Sequence, residues 1–261
     1  MSDEEPVHVA TSDGITVITL DRPKALNAIN ARSAAALGGA LDEADRDEDV
    51  RAIVVTGTGR AFSAGADLKA VAQGDTLLDP DHPEWGFGGF ARHPIATPTI
   101  AAVNGLAFGG GLELMLSCDL AIADEDARLG LPEVTRGLAA GAGGLVRLPQ
   151  RIPRAVALEI AMTGAPITAA RAYELGLVNR VAPAGTAVEA ARAMAATIAA
   201  NAPLAVRESR GLMLRAVHAD EDGDAVWADN GAVMGRIFSS EDAKEGPRAF
   251  AEKRSPVWTG R

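Results

Sequence analysis

One cysteine among 261 residues leaves no partner for an internal disulfide, so the fold is built without covalent cross-links of that kind. No apolar run approaches the roughly 20 residues that a helix needs to cross a bilayer, and no membrane partner is expected. The opening MSDEEPVHVA lacks the basic-then-apolar pattern of a secretory signal, so a cytoplasmic location is the expectation. Positive charge is in deficit: 25 lysines and arginines face 35 aspartates and glutamates, a formal charge of −10 that disfavours nucleic acid as a partner. The four histidines, His8, His82, His93 and His218, show no metal-ligand spacing and read as surface or loop positions, so no metal is expected. Two glycine-rich stretches also lack what nucleotide loops require. Phe62 occupies the third glycine position of a dinucleotide turn after GTG, and GLAAGAGG is not followed by the Lys-Ser/Thr of a phosphate-binding loop.

What remains is a globular chain, 48% hydrophobic and long enough to bury a sizeable core as one domain or one domain with an appendage. Strand-type runs at residues 15–20, 52–56 and 99–103 alternate with Ala-rich helical patterns such as 31–46, which argues for an α/β class. Residues 119–123 and 127–130 read as further short strands. From Pro149 onward the pattern is helical, over 154–162, 168–175, 186–200, 204–217 and 224–238, with almost no strand signal. A boundary is expected near Asn201-Ala202-Pro203, where proline fits the first turn of a helix, dividing 1–200 from 201–261. Residues 72–98 have a loop-like composition that suits either a wall of a substrate pocket or a cover for the core.

Two glutamates carry the chemistry. Glu113 ends the run GLAFGGGLE, in which glycines 109–111 read as the opening turn of a buried helix over 112–118. Free N–H groups at such a start, with the positive end of the helix dipole, attract developing negative charge. GRAFSAGAD supplies a second tight turn whose amide is unobstructed by side chains. Leu114, Met115 and Leu116 follow Glu113, so its helix is partly buried, and desolvation there would raise its pKa. Glu133 follows Pro132 in LGLPEV; both glutamates also fit ordinary helix starts. Cys118 reads as a core residue and Ser63 as a local turn ligand before Gly65.

The runs DRPKALNAIN, VVTGTGRAFSAGADLK, PTIAAVNGLAFGGGLELMLSCDLAIA, LGLPEVTRGLAAGAGG, MTGAPITAARAYELGLVNRV and EGPRAFAEKR, in that order, resemble the crotonase (enoyl-CoA hydratase/isomerase) superfamily. The resemblance covers nearly the whole chain and is strongest to enoyl-CoA hydratases. It implies a spiral of β-β-α turns over 1–200, whose divergence hides the repeat, and a helical oligomerisation region over 201–261 that forms a trimer or a hexamer of two trimers. It also implies an oxyanion hole from the amides of Ala66 and Gly110, with Glu113 and Glu133 as the acid/base pair acting on an acyl-CoA thioester. No cofactor is implied beyond the coenzyme A of the substrate.

By the same likeness, coenzyme and substrate contacts fall to Lys24, Ala64, Asp67, Leu68, Lys69, Gly141, Phe250 and Lys253. Coenzyme A is polyanionic, so a cluster of cations must override the global charge; Arg22, Lys24, Lys69, Lys253 and Arg254 are the candidates, each of which also fits an ordinary solvated surface. Hydration must manage both a water and a carbon-bound proton, whereas isomerisation can use one carboxylate, so the glutamate pair points to a 2-enoyl-CoA hydratase. Isomerase and dehydratase variants with the same pair, and a non-catalytic acyl-CoA binder, stay open. Ala140 stands where many hydratases have proline, and residues 145–149 and 162–164 resemble carnitinyl-CoA dehydratases.

Overall fold

The computed structural model describes residues 5–217 and 224–261. The chain opens with an antiparallel hairpin, β1 (Val7–Ser12) and β2 (Ile15–Leu20), closed by Asp13 and Gly14 at φ 54° and 72°. A two-residue turn with both centres at positive φ matches strand twist, and Asp-Gly is a sequence that tolerates it. Next comes α1 (Ala31–Arg46), whose first turn is capped by Asn30 accepting the Ser33 N–H, and which buries Leu37 and Leu41.

Three turns of one pattern follow. Strands β3 (Ala52–Gly57) and β4 (Ala61–Ser63) lead into α2 (Leu68–Ala72). Strands β5 (Thr99–Val103) and β6 (Leu106–Phe108) lead into α3 (Gly110–Ser117). Strands β7 (Leu120–Asp124) and β8 (Arg128–Gly130) lead into the 3-10 turn Pro132–Arg136 and α4 (Gly144–Arg151). The first strands of each turn pair in parallel in one sheet and the second strands pair in parallel in another. This is the β-β-α spiral. What recurs is register and burial: Val54 pairs with Ile100, and Ala102 with Ile122. Residue identities do not recur, which is why the sequence shows no repeat.

Both faces of the larger sheet are covered. Ile53, Val55, Ala101 and Val103 face the main core, while Val54, Ile100 and Ile122 meet Ala187, Ala191 and Ala195. Those alanines lie one turn apart on α7 (Ala187–Ala199), so the helix backbone lies close against the strands. A parallel sheet buried on both faces reads as a continuous apolar run, as AIVV does in β3.

The remaining elements are α5 (Arg154–Thr163), β9 (Ile167–Thr168), α6 (Ala169–Glu174), β10 (Arg180–Ala182), α8 (Pro203–Ala216), α9 (Asp224–Ser239) and α10 (Glu241–Glu252). The C-terminal third is helical as expected, with two short strands added. β9 pairs antiparallel with β8, and β10 pairs parallel with β7, each extending a sheet edge. Two- and three-residue strands carry no periodicity of their own; they exist because a distant strand presents unpaired backbone groups. Of the histidines, His8 lies on the exposed strand β1 and His82 is exposed, but the His93 side chain is only 4% exposed and stacks on Trp85 at 3.8 Å. His218 lies outside the described residues.

Asp124, at the end of β7, is 2% exposed and accepts the N–H groups of Thr186 and Ala187 at 3.0 and 2.8 Å. It thereby caps α7, whose own Thr186 side chain makes no capping bond. Asp124→Ala is expected to cost about 1–3 kcal/mol by leaving two amides without an acceptor. Chemical denaturation measures this; an unchanged midpoint would mean that packing alone seats α7.

Candidate active site

The turn after β4 is clamped by the segment before α1. The Ala64 N–H donates to the Leu26 carbonyl at 2.9 Å, the Ile29 N–H to Gly65 at 2.8 Å and the Asp67 N–H to Ile29 at 2.9 Å. Asn27, buried and at φ 56°, braces the same turn through Thr58 and Ala61. The Ser63 hydroxyl donates to the Asn27 carbonyl at 2.8 Å and accepts the Gly65 N–H at 3.1 Å, the local role its position suggested. This pattern passes over one amide: the Ala66 N–H finds no acceptor among the described residues.

Helix α3 starts against this turn. Gly109 adopts φ 57° and ψ −126°, and residues 110–116 are all buried. The Gly110 N–H, in the first turn of the helix, likewise donates to no acceptor among the described residues. A Cβ on Gly65 would lie 2.6 Å from the Gly110 nitrogen, and one on Gly111 would lie 2.0 Å from the Ser63 carbonyl oxygen. Only glycine permits these approaches, and they bring the two unused amides into one neighbourhood. The Phe87 ring closes over Gly110: a Cβ there would meet its Cζ at 2.4 Å.

Glu113, one turn into α3, is 3% exposed, and its Oε1 accepts the Gly144 N–H at 2.8 Å. Glu133 reaches back from its 3-10 turn to the start of α3, where a Cβ on Gly109 would lie 3.0 Å from its Oε1. Its Oε2 is buried with no hydrogen-bond partner among the described residues. Burial pushes the Glu113 carboxyl above the ordinary carboxylate range; the Glu133 charge adds to the rise, while the Gly144 N–H and Arg147 oppose it. Burial pushes Glu133 upward as well. Two neighbouring carboxyls that resist ionisation, beside two free amides, can pass protons to and from a reactant whose developing negative charge the amides hold.

The family described as Enoyl-CoA hydratase/isomerase matches residues 10–261. The chain belongs to the enoyl-CoA hydratase/isomerase family. Among similar solved structures, an enoyl-CoA hydratase from Mycobacterium marinum shares 46% identity at a TM-score of 0.94, covering 99% of this chain and all of the other. A carnitinyl-CoA hydratase from Mycobacterium avium shares 50% identity at 0.79, over the same coverage. A carnitinyl-CoA dehydratase of Salmonella typhi is 40% identical over 98% of this chain and 99% of its own length.

Against this family pattern, the structure gathers Ala66, Gly110, Glu113 and Glu133 around the start of α3. Ala64, Asp67, Leu68 and Lys69 follow in the adjoining turn, with Leu68 and Lys69 exposed. Lys24 is exposed on the 3-10 turn Pro23–Ala25. Two expectations are redirected. Arg22 is not a free cation: it pairs with Asp67 at 2.9 Å and donates to the Ala28 carbonyl. Asp67 also accepts the Lys69 and Ala70 N–H groups, so its side chain serves the turn.

Gly141 lies in the exposed loop before α4, and buried Ala140 packs beside Gly144. Phe250 and Lys253, on and just after α10, make no hydrogen bond or ion pair with these residues among the described residues, and Arg254 is spent on Glu245 and Glu252. The sequence reading missed Gly144, Phe87 and Arg147. GAGG was the one available signal for Gly144; Phe87 sits in the stretch without periodicity.

Folding raises the pKa of both glutamates, so the native state binds their protons to higher pH than the unfolded chain does. Its stability therefore falls as pH climbs from the ordinary carboxylate range through the raised values. Glu113→Gln keeps an oxygen for the Gly144 N–H and removes that loss. Its Tm is expected to exceed wild type at about pH 8, with the difference shrinking toward about pH 4. A Tm gap independent of pH would contradict a desolvated carboxylate at this position.

Proposed function

We propose that this chain adds water across the 2,3 double bond of a 2-enoyl-CoA thioester, and eliminates water in the reverse direction. The observation that carries this reading is the pairing of a Glu133 oxygen, buried and unpartnered, with a Glu113 held by Gly144, beside two unused amides. The thioester carbonyl would accept the Ala66 and Gly110 N–H groups, whose bonds strengthen as charge moves onto oxygen; one such donor is typically worth about 2.7–4 kcal/mol. Glu113 takes a proton from the water that adds to the β-carbon, and Glu133 holds that water and delivers a proton to the α-carbon. Lys24 and Lys69, both exposed and without a carboxylate partner among the described residues, would meet the coenzyme phosphates, with the backbone of residues 61–66 against the adenine. The reaction requires no cofactor besides the coenzyme A of its substrate.

Residues 201–261 would form the trimerisation region, in a trimer or a hexamer of two trimers. Exposed Met213, Phe238 and Phe250, at 69%, 73% and 88%, support this, because a subunit interface would cover them. Phe250 and Lys253 would then reach the coenzyme of the same or a neighbouring subunit. A cytoplasmic setting belongs to the same reading.

A second reading, dehydration of carnitinyl-CoA, is favoured by the 40% identity to the Salmonella typhi dehydratase and uses the same pair in the eliminating direction. Crotonyl-CoA followed by loss of enoyl-thioester absorbance separates the two. Rapid hydration is expected, reduced at least about a hundredfold in Glu113→Gln and in Glu133→Gln with KM little changed. Turnover that survives either change would contradict the paired roles. Turnover of carnitinyl-CoA without any of crotonyl-CoA would favour the second reading.

A further inference from the structure

Beyond the C-terminal end of α3 lies a cavity of about 720 Å³, within the size range of small-molecule sites. Among the described residues its walls hold Arg92, Arg147, Arg151 and Arg210 but only one carboxylate, Asp119, a local excess of three positive charges in a chain of net charge −10. Neither Glu113 nor Glu133 lines it.

The fold orients these guanidiniums mainly through backbone carbonyls. Arg147 donates to the carbonyls of Ala142 and Ala91, and Arg151 to those of Leu116, Cys118 and Asp119. Among the described residues only Arg210 forms an ion pair, with Asp119 Oδ2 at 2.8 Å, and Arg147 additionally feels the Glu113 charge. The Arg92 guanidinium makes no hydrogen bond or ion pair among the described residues, while its backbone N–H donates to the Trp85 carbonyl at 2.8 Å. Arg147 and Arg151 lie one turn apart on α4; burial and then the Arg151 charge push the Arg147 pKa down. Four guanidiniums against one lining carboxylate leave an excess of like charge that is costly in a partly buried space, and the planar fork of arginine matches carboxylate and phosphate oxygens.

We propose that this cavity binds a small oxyanion of the carboxylate or phosphate class, at a site separate from the acid/base pair. Helix α4 connects the two places: its first residue, Gly144, holds Glu113, and Arg147, one turn further on, faces the cavity. The anion has two possible sources, a free small molecule or a carboxylate at the far end of the substrate's acyl group.

Calorimetric titration of the full chain with inorganic phosphate and with glutarate, at constant ionic strength and with chloride as control, tests the site. Arg92→Glu is the informative variant, because Arg92 is exposed, its guanidinium is unbonded among the described residues, and the backbone bond to Trp85 survives the substitution. Saturable binding to the wild type is expected, weakened at least about tenfold in Arg92→Glu and also reduced in Arg92→Ala, with the Tm of the anion-free proteins unchanged. Heats equal to those of chloride, or equal affinity in wild type and Arg92→Glu, would overturn the proposal. Competition between phosphate and an ω-carboxyl 2-enoyl-CoA, absent with the uncharged chain of equal length, would assign the anion to the acyl terminus. Independent binding of phosphate and both thioesters would assign it to a free molecule.

Discussion

The site depends on one close approach of backbone to backbone. The turn after β4 and the first turn of α3 lie so near one another that a side chain on Gly65 would strike the Gly110 nitrogen, and one on Gly111 would strike the Ser63 carbonyl. Each amide emerges where the hydrogen-bond pattern around it runs out. Ala66 is skipped by its clamp to Ile29, and Gly110 stands in the first turn of a helix, where no carbonyl precedes it in register. Parallel pairing of β4 with β6 fixes the level at which the two segments meet. The larger sheet contributes through β3 and β5, which set the pitch of the spiral that carries those strands.

The carboxylates are placed against the interest of stability. Glu113 stands on a helix whose residues 110–116 are all buried, and the Gly144 amide and the Arg147 charge offset that burial only in part. Glu133 keeps one oxygen with no partner among the described residues. A fold selected only to persist would place amides or apolar groups there. The same burial that destabilises the charged forms brings the pair toward the protonation states that proton transfer to carbon needs.

Much of this was legible in the sequence because the relevant signals are local. Strands at 15–20 and 99–103 and the helix at 31–46 have strong patterns, and the structure reproduces those bounds. The glycines at 109–111, read as a helix start beside a carboxylate, fall where expected. What the sequence hid is non-local. β9 and β10 are too short to show a period and take shape on the edges of β8 and β7. The Arg22–Asp67 pair joins residues far apart in the chain, so nothing near Arg22 marked it as structural. Gly144 and Phe87 arrive at the site from a glycine run and an irregular segment, and their roles depend on where neighbouring elements put them.

The central claim is that the Ala66 and Gly110 amides polarise a thioester carbonyl. A 2-enoyl-CoA carrying 13C at that carbonyl, bound to the Glu113→Gln protein so that it persists, reports this through its NMR shift. A resonance downfield of the same thioester free in water is expected, because two fixed donors in a dry site polarise it more than solvent does. A bound resonance at or upfield of the free value would show that the amides do not hold the carbonyl, and the site as described here would be wrong.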